Sequence, residues 1–219
     1  MNPVIKRTIT ALTTAAMAVL AILYAPPVVF PWAFGVLFLL SAVECWQLVA
    51  RRRAPLSPHG LVVLVPALAI VGAAFGVLTH IAVNLSNVLL LYVIAIVKIS
   101  DMGGFAFGKA SAALMKGGNH KLCPTISPNK SWEGLIGSVL GSCVLSCAFM
   151  SVTHFGWGKA LAFGVTAALV GTFGDLAESK FKRWAGVKDS ATFMPAGLGG
   201  FLDMFDSLLF APSLLLAFI

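Results

Sequence analysis

Seven apolar stretches divide this 219-residue chain, near residues 8–25, 30–50, 60–79, 85–100, 132–153, 159–178 and 200–218. Each approaches the ~20 residues that a helix needs to cross a ~30 Å hydrocarbon core. A backbone in lipid has no water to bond to. Its N–H and C=O groups must be satisfied within the segment, which makes apolar runs of this length helices. The expected fold is therefore all-α, a polytopic transmembrane helical bundle of about seven spans. With 59% hydrophobic and 11% charged residues and a mean hydropathy of +0.95, an ordinary soluble domain is excluded. The spans use most of the chain, so we expect one integral membrane unit. Residues 1–94 supply N-terminal spans, and 95–219 form a transmembrane region that carries the polar motifs.

The cations orient the bundle. Thirteen of the fifteen fall in the N-terminus and alternate loops: Lys6 and Arg7; Arg51, Arg52 and Arg53; Lys109, Lys116, Lys121 and Lys130; Lys180, Lys182, Arg183 and Lys188. The intervening loops, near 26–30, 80–84 and 154–158, hold none. The bias predicts a cytoplasmic N-terminus and cytoplasmic motif loops in the cell (inner) membrane. The net charge of +7 reads as orientation and attraction to anionic lipid, with no nucleic-acid partner. Cys45, Cys123, Cys143 and Cys147 contain no C-x-x-C pair, and reduced thiols are expected.

Several features along the chain have both a bland and a sharp reading. Lys6 and Arg7 before an apolar run resemble a signal peptide, but a second span directly after Pro26-Pro27 favours a retained first helix. Glu44, within the second span, is either a functional carboxylate or an acid satisfied beside Arg51 to Arg53. Arg51 to Arg53 read as a headgroup-level anchor. Asp101 ends the fourth span, with Lys98 one turn earlier to pair with it or with a phosphate. Residues 102–131 are expected to be the longest cytoplasmic connection, broken by Gly103, Gly104, Gly108, Gly117 and Gly118. At its end Ser131 should cap the next helix, with Glu133 in the first turn. Backbone N–H groups there, beside Lys130, suit a phosphate. Gly137 and Gly141 form a GxxxG pair suited to close helix packing.

The polar stretch Gly174–Ser207 draws the rest together. It holds five of the eight acids, Asp175, Glu178, Asp189, Asp203 and Asp206, with Lys180, Lys182, Arg183 and Lys188 among them. Asp175 and Glu178 are three apart, as are Asp203 and Asp206, so on helices each pair shares a face. Two acidic helix ends across a basic loop can hold divalent cations and the phosphates that such cations bind. This is the expected active site of a membrane enzyme.

Two motifs give a resemblance. Ser179, Lys182, Arg183, Lys188 and Asp189, followed by Pro195, Gly199, Gly200, Asp203, Asp206 and Ser207, resemble the C-terminal signature of the phosphatidate cytidylyltransferase (CDP-diacylglycerol synthase) family. The segment Ser127-Pro128-Asn129-Lys130-Ser131-Trp132-Glu133-Gly134 is similar to that family's S-P-K-K-T-W-E-G, and Asp101-x-Gly to its aspartate turn. The likeness covers about residues 95–219. It implies a nucleotidyltransferase of phospholipid biosynthesis that converts CTP and phosphatidic acid to CDP-diacylglycerol and pyrophosphate. The implied cofactor is Mg²⁺, with room for a second cation. Asp175 and Asp203 are the implied metal ligands, with Asp206 in a second or outer position. Ser127, Lys130, Ser179, Lys182, Arg183 and Lys188 are implied to bind phosphate, and Asp189 to orient Lys188 or hold the second cation. The implied partners are CTP, phosphatidic acid and the lipid bilayer, with a homodimer left open.

Two positions depart from the family pattern. Leu198 stands where the family has histidine, and Met204 where it has arginine. They motivate one rival reading, a catalytically silent lipid-binding paralogue. A cytidylyltransferase for another lipid phosphate is a nearer alternative. A membrane transporter fits less well, because the polar residues gather in the C-terminal half.

Overall fold

The computed structural model describes residues 3–52, 54–115, 118–187 and 200–219. Helices α1 (Pro3–Tyr24) and α2 (Val29–Ala50) are joined through the Pro26-Pro27 turn. Helix α3 (Pro58–His80) starts where the Ser57 hydroxyl accepts a bond from Gly60 N–H at 3.1 Å. It continues as a π-helical turn, Ile81–Leu85, so the expected loop at 80–84 is helical. Ser86 alone links this turn to α4 (Asn87–Leu114), and its hydroxyl caps α4 through Leu89 N–H at 3.0 Å. An antiparallel hairpin of β1 (Lys121–Cys123) and β2 (Ser127–Ser131) follows. The chain then runs through α5 (Trp132–Ala148), α6 (Met150–Thr153), α7 (Trp157–Trp184) and α8 (Phe201–Phe205). A 3₁₀ turn, Asp206–Leu208, leads to α9 (Ala211–Phe218).

The result is an all-α bundle with one small hairpin at its polar end. Among the described residues, five helical stretches are long and apolar enough to cross a membrane: 29–50, 58–85, 87–114, 157–184 and 201–218. Two further apolar helices, Ala15–Tyr24 within α1 and Trp132–Ala148, are shorter. The outward faces are apolar too: Val62, Val65, Val144 and Phe173 are all more than half exposed. Lipid-facing surface accounts for this.

Three boundaries differ from the sequence expectation. Helix α4 runs through Gly103, Gly104 and Gly108 to Leu114, and does not stop near residue 100. These glycines face α5. A Cβ on Gly104 would lie 2.5 Å from Ser138 Oγ, and one on Gly137 would lie 2.5 Å from Phe107 Cβ. Lipid supplies no hydrophobic drive for helix association, so close backbone packing stabilises the pair in place of glycine's lost helix propensity. The Gly137 and Gly141 motif thus packs as expected, Gly141 against Ile99. Helix α5 ends at Ala148 rather than near residue 153, and α6 follows it.

Helix α7 extends to Trp184, past the expected end near residue 178; Glu178 and Lys182 pair at i,i+4 within this extension, and Phe181 and Trp184 pack against the core. Gly186, at φ 77°, ends it. Val187 N–H bonds Lys182 O and Gly186 N–H bonds Arg183 O, the two bonds of a Schellman stop. Ser179, Lys180, Lys182 and Arg183 therefore lie on helix and not on a loop. Lys188, Asp189, Pro195, Leu198 and Gly199 lie outside the described residues.

The core is aliphatic and aromatic. Leu90, Val93, Ile96 and Val97 of α4 are buried, and Tyr92 stacks between Phe149 and Phe163 with its hydroxyl 2.9 Å from Ser146 Oγ. All four cysteines are free thiols, as expected.

Candidate active site at the polar end of the bundle

The hairpin and α5 place Lys130. Ser131 has extended backbone, and its hydroxyl accepts the Gly134 N–H at 3.1 Å, capping α5 as expected. Glu133, in the first turn, reaches back to the His120 backbone N–H at 3.2 Å and ring Nδ1 at 2.7 Å, clamping the hairpin to the helix. Lys130, one residue before the cap, points into the bundle and forms an ion pair with Asp175 of α7.

Asp175 belongs to a cluster that three segments build. Ser207, from the 3₁₀ turn, is buried. Its Oγ lies 3.1 Å from Asp175 Oδ1, 3.0 Å from Asp206 Oδ1, and 3.1 and 3.3 Å from the two oxygens of Asp101 on α4. Gly174 permits this approach: a Cβ there would sit 2.6 Å from the Asp206 carbonyl oxygen. Lys98 lies 3.7 Å from Asp101 and donates to the Met204 carbonyl at 3.1 Å. The expected Lys98–Asp101 pair is thus present, with a backbone partner added.

One hydroxyl donates one proton. Ser207 therefore satisfies only one of the three carboxylates at a time, and the remaining close oxygens face each other without a shared proton from it. Lys130 and Lys98 are the two cations beside these three carboxyl groups. Among the described residues no three His, Cys, Asp or Glu side chains form a ready-made metal cage. The donor set is nonetheless all hard oxygen, which fits a small divalent cation such as Mg²⁺.

A second cluster lies beside the first. Lys182 Nζ is 2.7 Å from Glu178 Oε2 and 2.6 Å from Asp203 Oδ1. Asp203 Oδ2 accepts the Gly200 N–H at 2.7 Å. The Glu178 side chain is almost fully buried, and the Lys182 ammonium is its close charged neighbour. The expected shared face holds for Asp175 and Glu178 on α7, although the two serve different partners, and does not hold for Asp203 and Asp206. Three residues turn a helix by about 300°, which leaves Asp175 and Glu178 about 60° apart and able to serve different neighbours. Asp203 sits in α8 and Asp206 in the 3₁₀ turn, so their backbones diverge.

A cavity of about 290 Å³ opens between α4, β2, α5 and α7, next to the aspartate cluster. Asp101, Asp175, Lys130, Ser127 and Asn129 supply its polar lining, while Phe105, Leu122 and Leu135 supply apolar wall. Of the residues expected to bind phosphate, Ser127 and Lys130 line this cavity. Ser179 is half-buried on α7, Lys180 and Arg183 are exposed, and Arg183 donates to Val187 O at 3.2 Å. Arg52 bonds the Trp184 carbonyl and stacks over its ring at 5.6 Å, an anchor for the end of α7. Sequence reasoning left Asp101 and Ser207 without a role in the cluster. The signal for Asp101 was its depth at the end of an apolar span. Ser207 had only its place after Asp206.

Sequence comparison relates the chain to known proteins. The profile of the cytidylyltransferase family matches residues 8–219. The phosphatidate cytidylyltransferase of Staphylococcus aureus (strain COL) is 44% identical over 128 residues, covering 58% of this chain and 46% of the relative. Those of Staphylococcus haemolyticus (strain JCSC1435) and Staphylococcus epidermidis (strain ATCC 35984) are 43% and 41% identical over the same lengths. The aligned part thus spans about half the length of these relatives. With nearly its whole length matched by the profile, the chain belongs to the cytidylyltransferase family.

Proposed function

We propose that the protein is a phosphatidate cytidylyltransferase, joining CTP and phosphatidic acid to give CDP-diacylglycerol and pyrophosphate in phospholipid biosynthesis. The observation that carries this reading is the convergence of Asp101, Asp175 and Asp206 on Ser207, beside Lys130 and a cavity at the polar end of an apolar bundle. Family membership and the named activity of the relatives support it. A phosphate oxygen of the lipid forms a bond to the α-phosphorus of CTP, and the bond from that phosphorus to the β-phosphate bridge breaks, releasing pyrophosphate. The attacking monoester needs no general base, because its second pKa lies near 6. Two polyanions must meet, so positioning and charge stabilisation carry the catalysis.

Asp175, Asp206 and Asp101 would hold Mg²⁺, which supplies neutralising charge between the phosphates. Lys130 is positioned to exchange Asp175 for a phosphate oxygen. Ser127 and Asn129 border the same space. Asp203, a ligand in the motif-based expectation, instead fixes Lys182 and the start of α8. The cation bias supports a cytoplasmic polar end and an N-terminus on the same side, with seven crossings in the cell membrane. The lipid then enters from the bilayer and CTP from the cytoplasm.

The test is product formation. Purified protein in detergent, given α-labelled CTP, Mg²⁺ and phosphatidic acid, is expected to form labelled CDP-diacylglycerol and lose the activity in EDTA. No labelled lipid from the native sequence, with product restored by Leu198→His and Met204→Arg together, would establish the silent paralogue instead. Product only with a different lipid phosphate would move the substrate assignment.

A further inference from the structure

We infer that Glu44 is a positioning residue for the proposed cation site, acting from the N-terminal half of the chain through α8; this rests on the cation-site reading above. Glu44 lies in α2 and is fully buried. Its Oε1 accepts the Phe201 N–H at 3.0 Å, and its Oε2 accepts the Leu202 N–H at 2.9 Å. The preceding donor, Gly200 N–H, goes to Asp203. Two carboxylates thus take three successive backbone donors where α8 begins.

That arrangement matters because α8 cannot hold itself in place. A five-residue helix is far below the length at which helices are stable alone. Glu44 binds it on the α2 side, and Lys182 holds it through Asp203 on the α7 side. Using both oxygens of one carboxylate fixes the depth and rotation of the first turn, not merely its attachment. Asp206 follows Leu202 by four residues, about 6 Å along a helix. An error at the first turn therefore passes almost undiminished to Asp206 and Ser207, and so to their meeting with Asp175. A carboxylate buried in a membrane span is costly and marks a function by default. Here its observed work is to orient the turn that carries the cluster.

The experiment compares wild type, Glu44→Gln, Glu44→Ala and Ser41→Ala. Ser41 is buried on the same helix, and its hydroxyl makes no hydrogen bond among the described residues. Two readouts are taken: amide hydrogen exchange across residues 200–208, and the Mg²⁺ concentration giving half-maximal turnover against kcat at saturating Mg²⁺. Glutamine keeps one acceptor oxygen and presents an NH₂ group to the other N–H, so it loses one of the two bonds. Glu44→Gln is expected to speed exchange in 200–208 but not in α5, and to raise the half-saturating Mg²⁺ by about tenfold with kcat largely recovered. Glu44→Ala should do more of both, and Ser41→Ala neither. A general loss of packing would instead speed exchange in α5 as well and lower kcat at every Mg²⁺ concentration, which would overturn the inference. So would unchanged local exchange in Glu44→Gln, which reads the coupling even if Glu44→Ala does not fold. A wild-type protein whose turnover ignores divalent cations would sink the cation-site reading on which the inference rests, while the exchange arm still reports on the Glu44 contact.

Discussion

Replacing Gly174 with alanine tests how closely α7 must approach the turn that carries Asp206. The new Cβ would lie 2.6 Å from the Asp206 carbonyl oxygen and 3.4 Å from Phe210 Cδ2. Lengthening the carbonyl contact from 2.6 Å to an ordinary 3.4 Å therefore requires the two backbones to move apart by about 0.8 Å. Both partners at the short contact are backbone-borne, so no flexible side chain can absorb it. Overpacking of this kind costs ~1–3 kcal/mol, and alanine returns ~1 kcal/mol of helix propensity. Net stability should fall by no more than about 2 kcal/mol. Turnover should suffer more, because misplacement of a reacting constellation by ~1 Å costs on the order of 100-fold. Gly76, in α3, is the control: a Cβ there meets nothing within 4 Å, so Gly76→Ala should keep full turnover. Thermal unfolding and CDP-diacylglycerol formation, measured on both variants, check this. Wild-type turnover in Gly174→Ala would refute the claim that Asp206 must sit against Asp175.

Lys182→Met should lower stability by ~3–5 kcal/mol, because it leaves the buried Glu178 and half-buried Asp203 carboxylates without their shared ammonium; an unchanged melting temperature would show that the trio is not structural. Ser131→Ala removes the cap of α5 and should cost ~1 kcal/mol, read as a lowered melting temperature of the detergent-solubilised protein. A cysteine at Lys121, in a cysteine-free background, should react with an impermeant thiol reagent only from the cytoplasmic side. Labelling in intact cells would reverse the proposed orientation.

How far the sequence was legible depended on the range of the interaction. The apolar stretches, the Ser131 cap, the Gly137 and Gly141 packing face and the free thiols all follow from local composition, and the structure has them. Helix ends were read less well, because hydropathy reports where lipid stops and not where backbone hydrogen bonding stops. Thus α4 continues fourteen residues past its expected end near residue 100, and α7 runs six past residue 178. Gly103 and Gly104 looked like breaks because a one-dimensional reading cannot see Gly134, Gly137 and Ser138 opposite them. At the site, i,i+3 spacing correctly marked acids of interest but not their partners. Asp206 and Asp101 meet Asp175 through Ser207, whereas Asp203 turns to Lys182. Glu44 was equally open between two readings, since its partners are 157 and 158 residues away.

The most direct test of the account is the binding of Mn²⁺, as a paramagnetic substitute for Mg²⁺, to the detergent-solubilised protein, followed by electron paramagnetic resonance in wild type and in Asp175→Asn, Asp206→Asn and Asp203→Asn. The account predicts that wild type binds Mn²⁺, that Asp175→Asn and Asp206→Asn lose it, and that Asp203→Asn retains it, since asparagine can still accept the Gly200 N–H. Loss of binding in Asp203→Asn with full retention in Asp206→Asn would contradict the assignment of the cation to the cluster around Ser207.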